Sequence, residues 1–290
     1  MYLRLTSYLI LWLSVYSTHI AGLVPRPTNY DITTTACSLL YTPTYQHDYP
    51  SCLILTNSLR NFESRLALRH IPIDKPTEIK CSIHRMKVEI RDGCDESEYK
   101  LWPSGSMDES YNITIHDQEI NITSNEIWGV LHALETILQL VYTNEVGENL
   151  IFKGRIEDDP VFAYRGVLVN TGSNFIPMEY LFKTIGAFHP QFCTYDEEEV
   201  ADLLEYARLR GVRVIPEFNT PDHTLSWGNG YPDILTKCYK DSEPDGNLGP
   251  LNPTNPETFT FLENFYKEVV TRFSDSYLYL GGDVEFLSCW

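Results

Sequence analysis

The stretch that decides the fold is YLYLGGDVEFLSCW, which runs from Tyr277 to Trp290. Its apolar alternation predicts a strand, and the strand runs into Gly-Gly followed by carboxylates at Asp283 and Glu285. In parallel α/β folds the reactive side chains lie where strands finish, at the C-terminal mouth of the sheet. The stretch therefore predicts a barrel-type strand that presents acids.

A second stretch repeats this pattern upstream. VRVIPEFNTPDHTLSW, from Val212 to Trp227, reads as an apolar strand followed by a loop with chemically active side chains. These side chains are Glu217, Asp222, His223 and Trp227. Two predicted strand ends thus offer the same kind of chemistry.

Residues 23–158 are predicted to form a small α+β domain. Short strands are expected at Lys87–Ile90 and Tyr111–Ile115, followed by a helix after a capping box at Thr123–Glu126. The charged segment Glu157–Pro160 ends in proline and is the predicted junction. The domain shows no catalytic motif of its own.

Residues 159–290 alternate strand and helix patterns, which indicates parallel βα units. The predicted elements are a strand at Arg165–Asn170, a helix from Pro177 to about Ile185, a helix after a capping box at Thr194–Glu197 that ends at Gly211, the Val212 strand, a loop from Gly228 to Pro253, a helix from Asn255-Pro256, and the Tyr277 strand. A closed eight-stranded barrel takes about 250 residues, more than follow the junction. The predicted fold is therefore α/β, an incomplete TIM-type (β/α) barrel preceded by a small α+β domain.

The N-terminal residues 1–22 predict a secretory signal peptide. Arg4 precedes an apolar stretch, and small residues stand at Ala21 and Gly22. The alternative, a membrane anchor, needs roughly 20 continuous apolar residues, and polar residues from Ser14 onward interrupt the run. No other segment is apolar enough to be expected to span a membrane.

Export is consistent with three further features. Seven cysteines are expected to form disulfides with one left over. Asn112-Ile-Thr and Asn121-Ile-Thr are glycosylation sequons. A net charge of -18 argues against a nucleic-acid or anionic-membrane partner and suits an acidic lumen.

Several ordered motifs together resemble the eukaryotic β-N-acetylhexosaminidases of glycoside hydrolase family 20. They are YRGVLVNTGSNFIP (164–177), EYARLRGVRVIPEFNTPDHTLSWG (205–228), the CYKDSEP stretch after Lys237, and YLYLGGDVEFLSCW. The resemblance implies retaining removal of terminal N-acetylglucosamine or N-acetylgalactosamine, with the substrate's acetamido oxygen as nucleophile. It implies no metal and no cofactor. The expected partners are N-acetylhexosamine-terminated glycans or glycolipids and a second subunit in a homo- or heterodimer, in a lysosomal or extracellular compartment.

The resemblance also assigns roles to individual residues. Asp283 matches the family's acetamide-holding Asp, but Val284 stands where the family has its general acid. Glu285 is the nearest carboxylate, and on an extended strand i and i+2 project to the same face. It is expected either to replace that acid or to be a solvated loop residue. The substrate-binding residues implied by the match are Arg165, His223, Glu217 and Trp227, with Trp227 and Trp290 as sugar platforms or core residues.

Other positions depart from the family pattern. Asn170 and Ser173 stand where the family usually has Asp and Arg, Asn219 replaces an Asp, and Asp222 replaces a Gly. Between Ile185 and Gly186 the family would carry a further helix segment, a strand and a loop. A second hypothesis is therefore a catalytically impaired isoform that binds glycans weakly or associates with a full-length subunit.

The resemblance implies disulfides as well. Cys238 with Cys289 matches a family pair that bridges the loop after strand three to the end of strand four. Cys52 with Cys94 resembles a pair of the N-terminal domain. Cys37 and Cys81 could form a third bond and leave Cys193 free, although the sequence leaves this connectivity open.

Overall fold

A computed structural model describes residues 23–68, 71–72, 78–169, 195–282 and 289. The chain divides into two compact units. Among the described residues, the first unit contains those within 23–50, 55–94 and 108–161, and the second contains those within 51–54, 95–107 and 162–289. The predicted signal peptide lies outside the described residues. Within the described ranges, no helix has both the length and the hydropathy needed to cross a membrane.

The first unit is built on one mixed sheet with helices. Its elements are β1 (Asn29–Gln46), α1 (Leu53–Leu68), β2 (Ile79–Ile90), β3 (Tyr111–Ile115), β4 (Glu119–Ser124), α2 (Ile127–Leu140), β5 (Tyr142–Thr143) and β6 (Asn149–Asp158). The strand order is β1-β2-β4-β3-β6-β5, and β1 also pairs with β6. The strand predicted at Tyr111–Ile115 has the predicted bounds, and the one predicted at Lys87–Ile90 is the end of β2.

The capping box predicted at Thr123–Glu126 is wrong. Thr123 and Ser124 belong to β4, where they pair with Glu89 and Ile90 of β2. Ladder hydrogen bonds hold these residues in the strand, so α2 begins only at Ile127 and has no side-chain cap. Its buried face packs against β3 and β4, where the Tyr111 hydroxyl lies 2.6 Å from Thr136 Oγ1.

The second unit alternates helices and strands, as the sequence predicts for βα units. Its elements are α3 (Glu197–Arg208), β7 (Glu217–Thr220), two 3₁₀ turns (Leu225–Asn229 and Pro232–Ile234), β8 (Leu235–Lys240), β9 (Glu243–Leu251), α4 (Pro256–Arg272) and β10 (Tyr279–Gly281). β7 and β10 pair in parallel, with Glu217 opposite Tyr279 and Thr220 opposite Gly281. This parallel pair is the part of the fold that positions the candidate site.

The ends of the two helices follow from local chemistry. Asp196 caps α3 in a reciprocal box with Glu199, two residues later than the predicted box. Gly211 follows the helix with φ of +68°, a conformation that glycine adopts without steric cost. Asn255 caps α4 by accepting from the backbone N–H of Glu257 at 3.1 Å, and Pro256 is its first residue, as predicted.

Three predicted elements differ from the structure. Residues 165–169 of the predicted Arg165–Asn170 strand form no strand: Val167 and Leu168 are 90% and 80% exposed, so no described neighbour covers their apolar side chains. The Val212 strand begins only at Glu217. The helix predicted after Pro177 lies outside the described residues.

The predicted loop from Gly228 to Pro253 contains the β8–β9 hairpin instead. Its Gly, Pro and Asn content suggested a loop, but Leu235 and Leu251 pair across the two strands and are buried in one cluster with Ile234. Asp241 and Ser242, between the strands, both have positive φ, which is the conformation of a tight hairpin turn. Burial of this cluster therefore outweighs the weak strand propensity of the segment.

Candidate active site

The carboxyl ends of β7 and β10 meet at one edge of their sheet. Thr220 Oγ1 donates a hydrogen bond to the carbonyl of Leu280 at 2.9 Å, which ties the two strand ends together. The chain continues from β7 into the loop with Asp222 and His223, and from β10 into Gly282. The predicted loop residues and the Gly-Gly turn thus lie at the same edge, where parallel sheets bind ligands.

Gly281 is required by the geometry of this edge. Its φ is +77°, and a Cβ at this position would lie 2.3 Å from Asn219 Oδ1 on the neighbouring strand. That oxygen is buried and has no hydrogen-bond partner in the described part of the chain. Glycine therefore allows the Asn219 side chain to lie directly against the end of β10. The Gly-Gly pair was a visible sequence feature, but its contact with Asn219 was not predicted.

The turn after β7 is held by its own hydrogen bonds. The backbone N–H of His223 donates to Asp222 Oδ1 at 2.8 Å, and Asp222 is buried. Thr224 Oγ1 and the backbone N–H of Leu251 both donate to the carbonyl of Pro221, at 3.0 and 2.9 Å. His223 itself has φ of +60° and an exposed side chain. The turn thus presents the imidazole at the surface on a fixed backbone.

Glu217 and Arg165 are placed differently from the sequence expectation. Glu217 opens β7 rather than ending a strand, and it is partly exposed. Arg165 lies in the exposed segment before residue 170, where its guanidinium donates to the carbonyl of Phe162. The roles of both toward a sugar stay predictions.

Trp227 is partly exposed and packs against α4 in the second unit. Its ring centroid lies 5.1 Å from that of Phe265 and 5.6 Å from that of Phe261, both on α4. It also contacts the buried cluster of Ile234, Leu235 and Leu251. This packing covers part of the ring, and the role of Trp227 as a sugar platform stays a prediction.

The predicted acids Asp283 and Glu285, together with Asn170, Ser173 and Trp290, lie outside the described residues. A disulfide joins Cys238 of β8 to Cys289 and so fixes a residue shortly after both acids. Gly249 makes room for it, because a Cβ there would lie 2.7 Å from Cys289 Cβ.

The other cysteines add to the covalent framework. Cys37 and Cys81 form a second disulfide between β1 and β2. Cys52 and Cys94 are also disulfide-bonded, while Cys193 lies outside the described residues. These bonds fit a protein that folds in an oxidising compartment.

The opposite end of the strand pair has a structural ion pair. Arg213 precedes β7 and binds Asp275 through two hydrogen bonds of 2.7 and 2.8 Å. Both side chains are largely buried, and the hydrogen bonds that Arg213 donates to Asp275 raise the pKa of Arg213. Because the two charges are paired with each other, this ion pair stabilises the strands and does not act as a reactive group.

Comparison with known proteins gives matches over both parts of the chain. A family profile described as beta-acetyl hexosaminidase like matches residues 23–140, and the profile for the glycosyl hydrolase family 20 catalytic domain matches residues 186–290. The chain is 34% identical to the beta-hexosaminidase subunit beta of Homo sapiens over 276 residues, 83% of this chain and 49% of that protein. It is 35% identical to the subunit alpha of Bos taurus over 235 residues, 69% of this chain and 44% of that protein.

The resemblance to glycoside hydrolase family 20 is confirmed. Two solved structures of family 20 enzymes also share the fold. Flavobacterium johnsoniae chitobiase superposes with a TM-score of 0.70 at 22% identity, over 89% of this chain and 44% of that one. The exo beta-N-acetylglucosaminidase of Vibrio harveyi gives 0.68 at 17% identity, over 92% and 47%. The chain thus spans about half the length of the family 20 relatives it matches.

Proposed function

We propose that this chain provides the hexosamine site of a β-N-acetylhexosaminidase, which removes terminal N-acetylglucosamine or N-acetylgalactosamine from glycans or glycolipids. The observation that supports it is the parallel pairing of β7 with β10, with Thr220 opposite Gly281. This pairing places the His223 turn beside the glycines that precede Asp283 in the sequence. The match to the family 20 catalytic domain over residues 186–290 adds the class of reaction.

The proposed reaction is substrate-assisted and retains the anomeric configuration. The acetamido oxygen of the substrate attacks the anomeric carbon, the bond to the leaving oxygen breaks, and water later opens the intermediate. In this proposal Asp283 orients the acetamide, and Glu285 is the acid that protonates the leaving oxygen, because Val284 occupies the usual position. Such an acid must be neutral to donate its proton and charged to activate water.

The remaining site residues bind the sugar in this proposal. Arg165 has a planar guanidinium with five donors, which suits the hydroxyl groups of a hexose. His223 is held on a fixed turn with its imidazole exposed. Glu217 opens the strand that leads to this turn.

We also propose that the chain acts as a homo- or heterodimer in the secretory pathway, in a lysosomal or extracellular compartment. The relatives are named as alpha and beta subunits, which supports a second subunit. Exposed apolar side chains on β10, where Tyr279 and Leu280 are 57% and 52% exposed, are consistent with a covered surface in the working protein. The disulfides and the N-terminal sequence support export.

Hydrolysis of aryl N-acetyl-β-glucosaminides and galactosaminides at acid pH tests the proposal. We expect Asp283→Asn to lower kcat by about 10²-fold or more, and Glu285→Gln to do the same on glycosides whose leaving group needs protonation, the range typical of acid–base groups. Glu263→Gln is the control, because Glu263 is an exposed carboxylate on α4 paired with Lys267. Turnover by the wild type no higher than by Asp283→Asn would refute the hydrolase and favour the impaired isoform.

The leaving group separates the two acids. A good leaving group needs no protonation, so Glu285→Gln should lose much less activity on a nitrated aryl glycoside than on an alkyl glycoside. Asp283→Asn should lose activity equally on both, because the acetamide must be oriented in each case. Activity that survives Asp283→Asn but is lost in Glu285→Gln on every substrate would show that the roles are assigned wrongly.

A further inference from the structure

The two sequons lie side by side on neighbouring strands of the first unit. β3 and β4 are antiparallel, with Asn112 opposite Thr123 and Thr114 opposite Asn121. Each asparagine is therefore paired with the threonine of the other sequon. All four side chains alternate with buried neighbours, so they share one face of the sheet.

This face is the polar side of the sheet. The opposite side, which includes Tyr111, is buried and faces α2 through the contact with Thr136. On the sequon side, β2 places Lys87 beside Asn121, and β6 places Glu157 beside Asn112. A polar, partly exposed strand face is the kind of surface on which a glycan can project into solvent.

The two asparagines differ in their side-chain surroundings. Asn121 Nδ2 donates to Glu119 Oε1 at 3.2 Å, and Glu119 is also bound by Arg85 Nε at 3.0 Å. Asn121 Oδ1 is buried without a hydrogen-bond partner among the described residues. The Asn112 carboxamide is partly exposed and makes no hydrogen bond within the described ranges. Only Asn112 thus has a carboxamide that is uncommitted and open to solvent.

We propose that Asn112 is the N-glycosylated asparagine of this chain and that Asn121 is unmodified in the folded, secreted protein. The donor is a lipid-linked oligosaccharide pyrophosphate of the secretory pathway. In the transfer, the bond from the sugar's anomeric carbon to the pyrophosphate oxygen breaks, and a bond from that carbon to Asn112 Nδ2 forms. Nδ2 loses one proton, and the lipid pyrophosphate leaves.

The fold selects between two sequons that are equally acceptable as sequence. Both read Asn-Ile-Thr, so recognition of the unfolded chain does not distinguish them. A sugar bonded to Nδ2 lies next to Oδ1 of the same carboxamide. At Asn121, Oδ1 is buried, so neighbouring atoms already occupy the space that the sugar needs. A chain modified at Asn121 must rotate this side chain and disturb the bond to Glu119 before the sheet can close. A chain modified at Asn112 folds with the sugar in solvent.

In this proposal, the glycan gives the polar face of the sheet a protective function. A glycan on β3 covers the neighbourhood of Thr123 and Glu157 and keeps other proteins from docking there. The inference is independent of the hydrolase proposal, because it concerns the first unit alone and needs only export.

Site mapping of the secreted chain tests the proposal. No Lys or Arg separates the sequons, but Asp117 does, so cleavage at aspartate gives one peptide for each. After this cleavage, enzymatic removal of glycans in H₂¹⁸O marks each modified asparagine by its mass. We expect the mark on the Asn112 peptide only. Modification of Asn121, of both residues or of neither would overturn the proposal.

A matched pair of variants gives the same answer by mobility. Thr114→Val and Thr123→Val each remove the hydroxyl of one sequon while keeping a β-branched strand residue. We expect the first to abolish the mobility shift caused by deglycosylation and the second to leave it unchanged. The reverse result would refute the proposal. If the first variant is retained in the cell as misfolded protein, peptide mapping of the wild type still decides.

Discussion

Replacing Arg208 with methionine is expected to destabilise the second unit by about 3–5 kcal/mol, the cost of removing one partner of a buried ion pair. The Arg208 guanidinium is fully buried and forms an ion pair with Glu96, whose side chain is also fully buried. It donates to both carboxylate oxygens of Glu205, at 2.9 and 2.7 Å, and to the carbonyl of Leu101 at 3.0 Å. It thus joins α3 to the segment 95–107.

The magnitude follows from what the substitution leaves behind. Glu96 also accepts from the backbone N–H groups of Ile54 and Leu101, at 3.0 and 3.1 Å, so its carboxylate is fixed in place. Without Arg208 it remains buried with no counter-charge from the described residues, which is the costly outcome. Adding Glu96→Gln to Arg208→Met removes that charge. The double variant should therefore be more stable than the sum of the two single losses predicts, by about 0.5–3 kcal/mol.

Urea unfolding followed by tryptophan fluorescence measures these changes. Arg208 Cζ lies 5.6 Å from the ring centroid of Trp102, which makes this indole a local reporter. Arg210→Met is the matched control: Arg210 is exposed and lies over the Tyr206 ring, so its loss should cost below about 1 kcal/mol. Equal losses for the two arginine variants, or additive effects in the double variant, would refute the reasoning.

Three further outcomes are expected. Hydrogen bonds from Arg208, and then from Lys100, lower the pKa of the Glu205 carboxyl to about 2. The charged Glu205 therefore contributes stability above its unfolded pKa of about 4, and this contribution is lost as pH falls toward about 2. A carboxyl NMR titration of Glu205 with a midpoint near its unfolded value would contradict this. Cys289→Ser removes the disulfide to Cys238, 51 positions away in the sequence, and should lower the free energy of unfolding by up to about 4 kcal/mol. A urea midpoint of the wild type that stays the same after reduction would contradict this. Gly281→Ala should lower the urea midpoint of unfolding more than Gly246→Ala does. Both glycines have positive φ, but of these two only Gly281 lies against another side chain, that of Asn219. Equal shifts of the midpoint would show that this contact is unimportant.

Local features of the second unit were predictable where one short motif determines one structure. Asn255-Pro256 begins α4, Gly211 ends the turn after α3, and the Tyr277 stretch provides β10. The parallel pairing of β10 with β7 also follows from the predicted alternation of strand and helix. Such motifs depend on backbone sterics and capping within a few residues, which sequence expresses directly.

Predictions failed where a long-range interaction outweighs a local preference. Thr123 has the sequence context of a helix cap, but pairing of β4 with β2 holds it in a strand. The Gly and Pro content of the segment between Leu235 and Leu251 predicts a loop, but burial of both leucines in one cluster stabilises a hairpin there. The pairing of Glu96 with Arg208 joins residues 112 positions apart, and no periodicity of either segment encodes it.

The candidate site also has some features that the sequence predicts and others that it does not. Residue types at strand ends and the family motifs identified the His223 turn and the Gly-Gly sequence before Asp283. The close contact between Asn219 and Gly281, and the packing of Trp227 against Phe265, depend on how two strands and α4 come together. These contacts arise from tertiary packing, so the sequence left two roles open for Trp227 and gave no indication of the contact between Asn219 and Gly281.

A crystal structure of the chain with bound N-acetylglucosamine tests the central claim most directly. We predict that the sugar lies at the carboxyl edge of β7 and β10, with its acetamide within hydrogen-bonding distance of Asp283 and its hydroxyls facing Arg165 and His223. A sugar bound elsewhere, or an Asp283 carboxylate that points away from a cavity shared with those two side chains, would contradict the account.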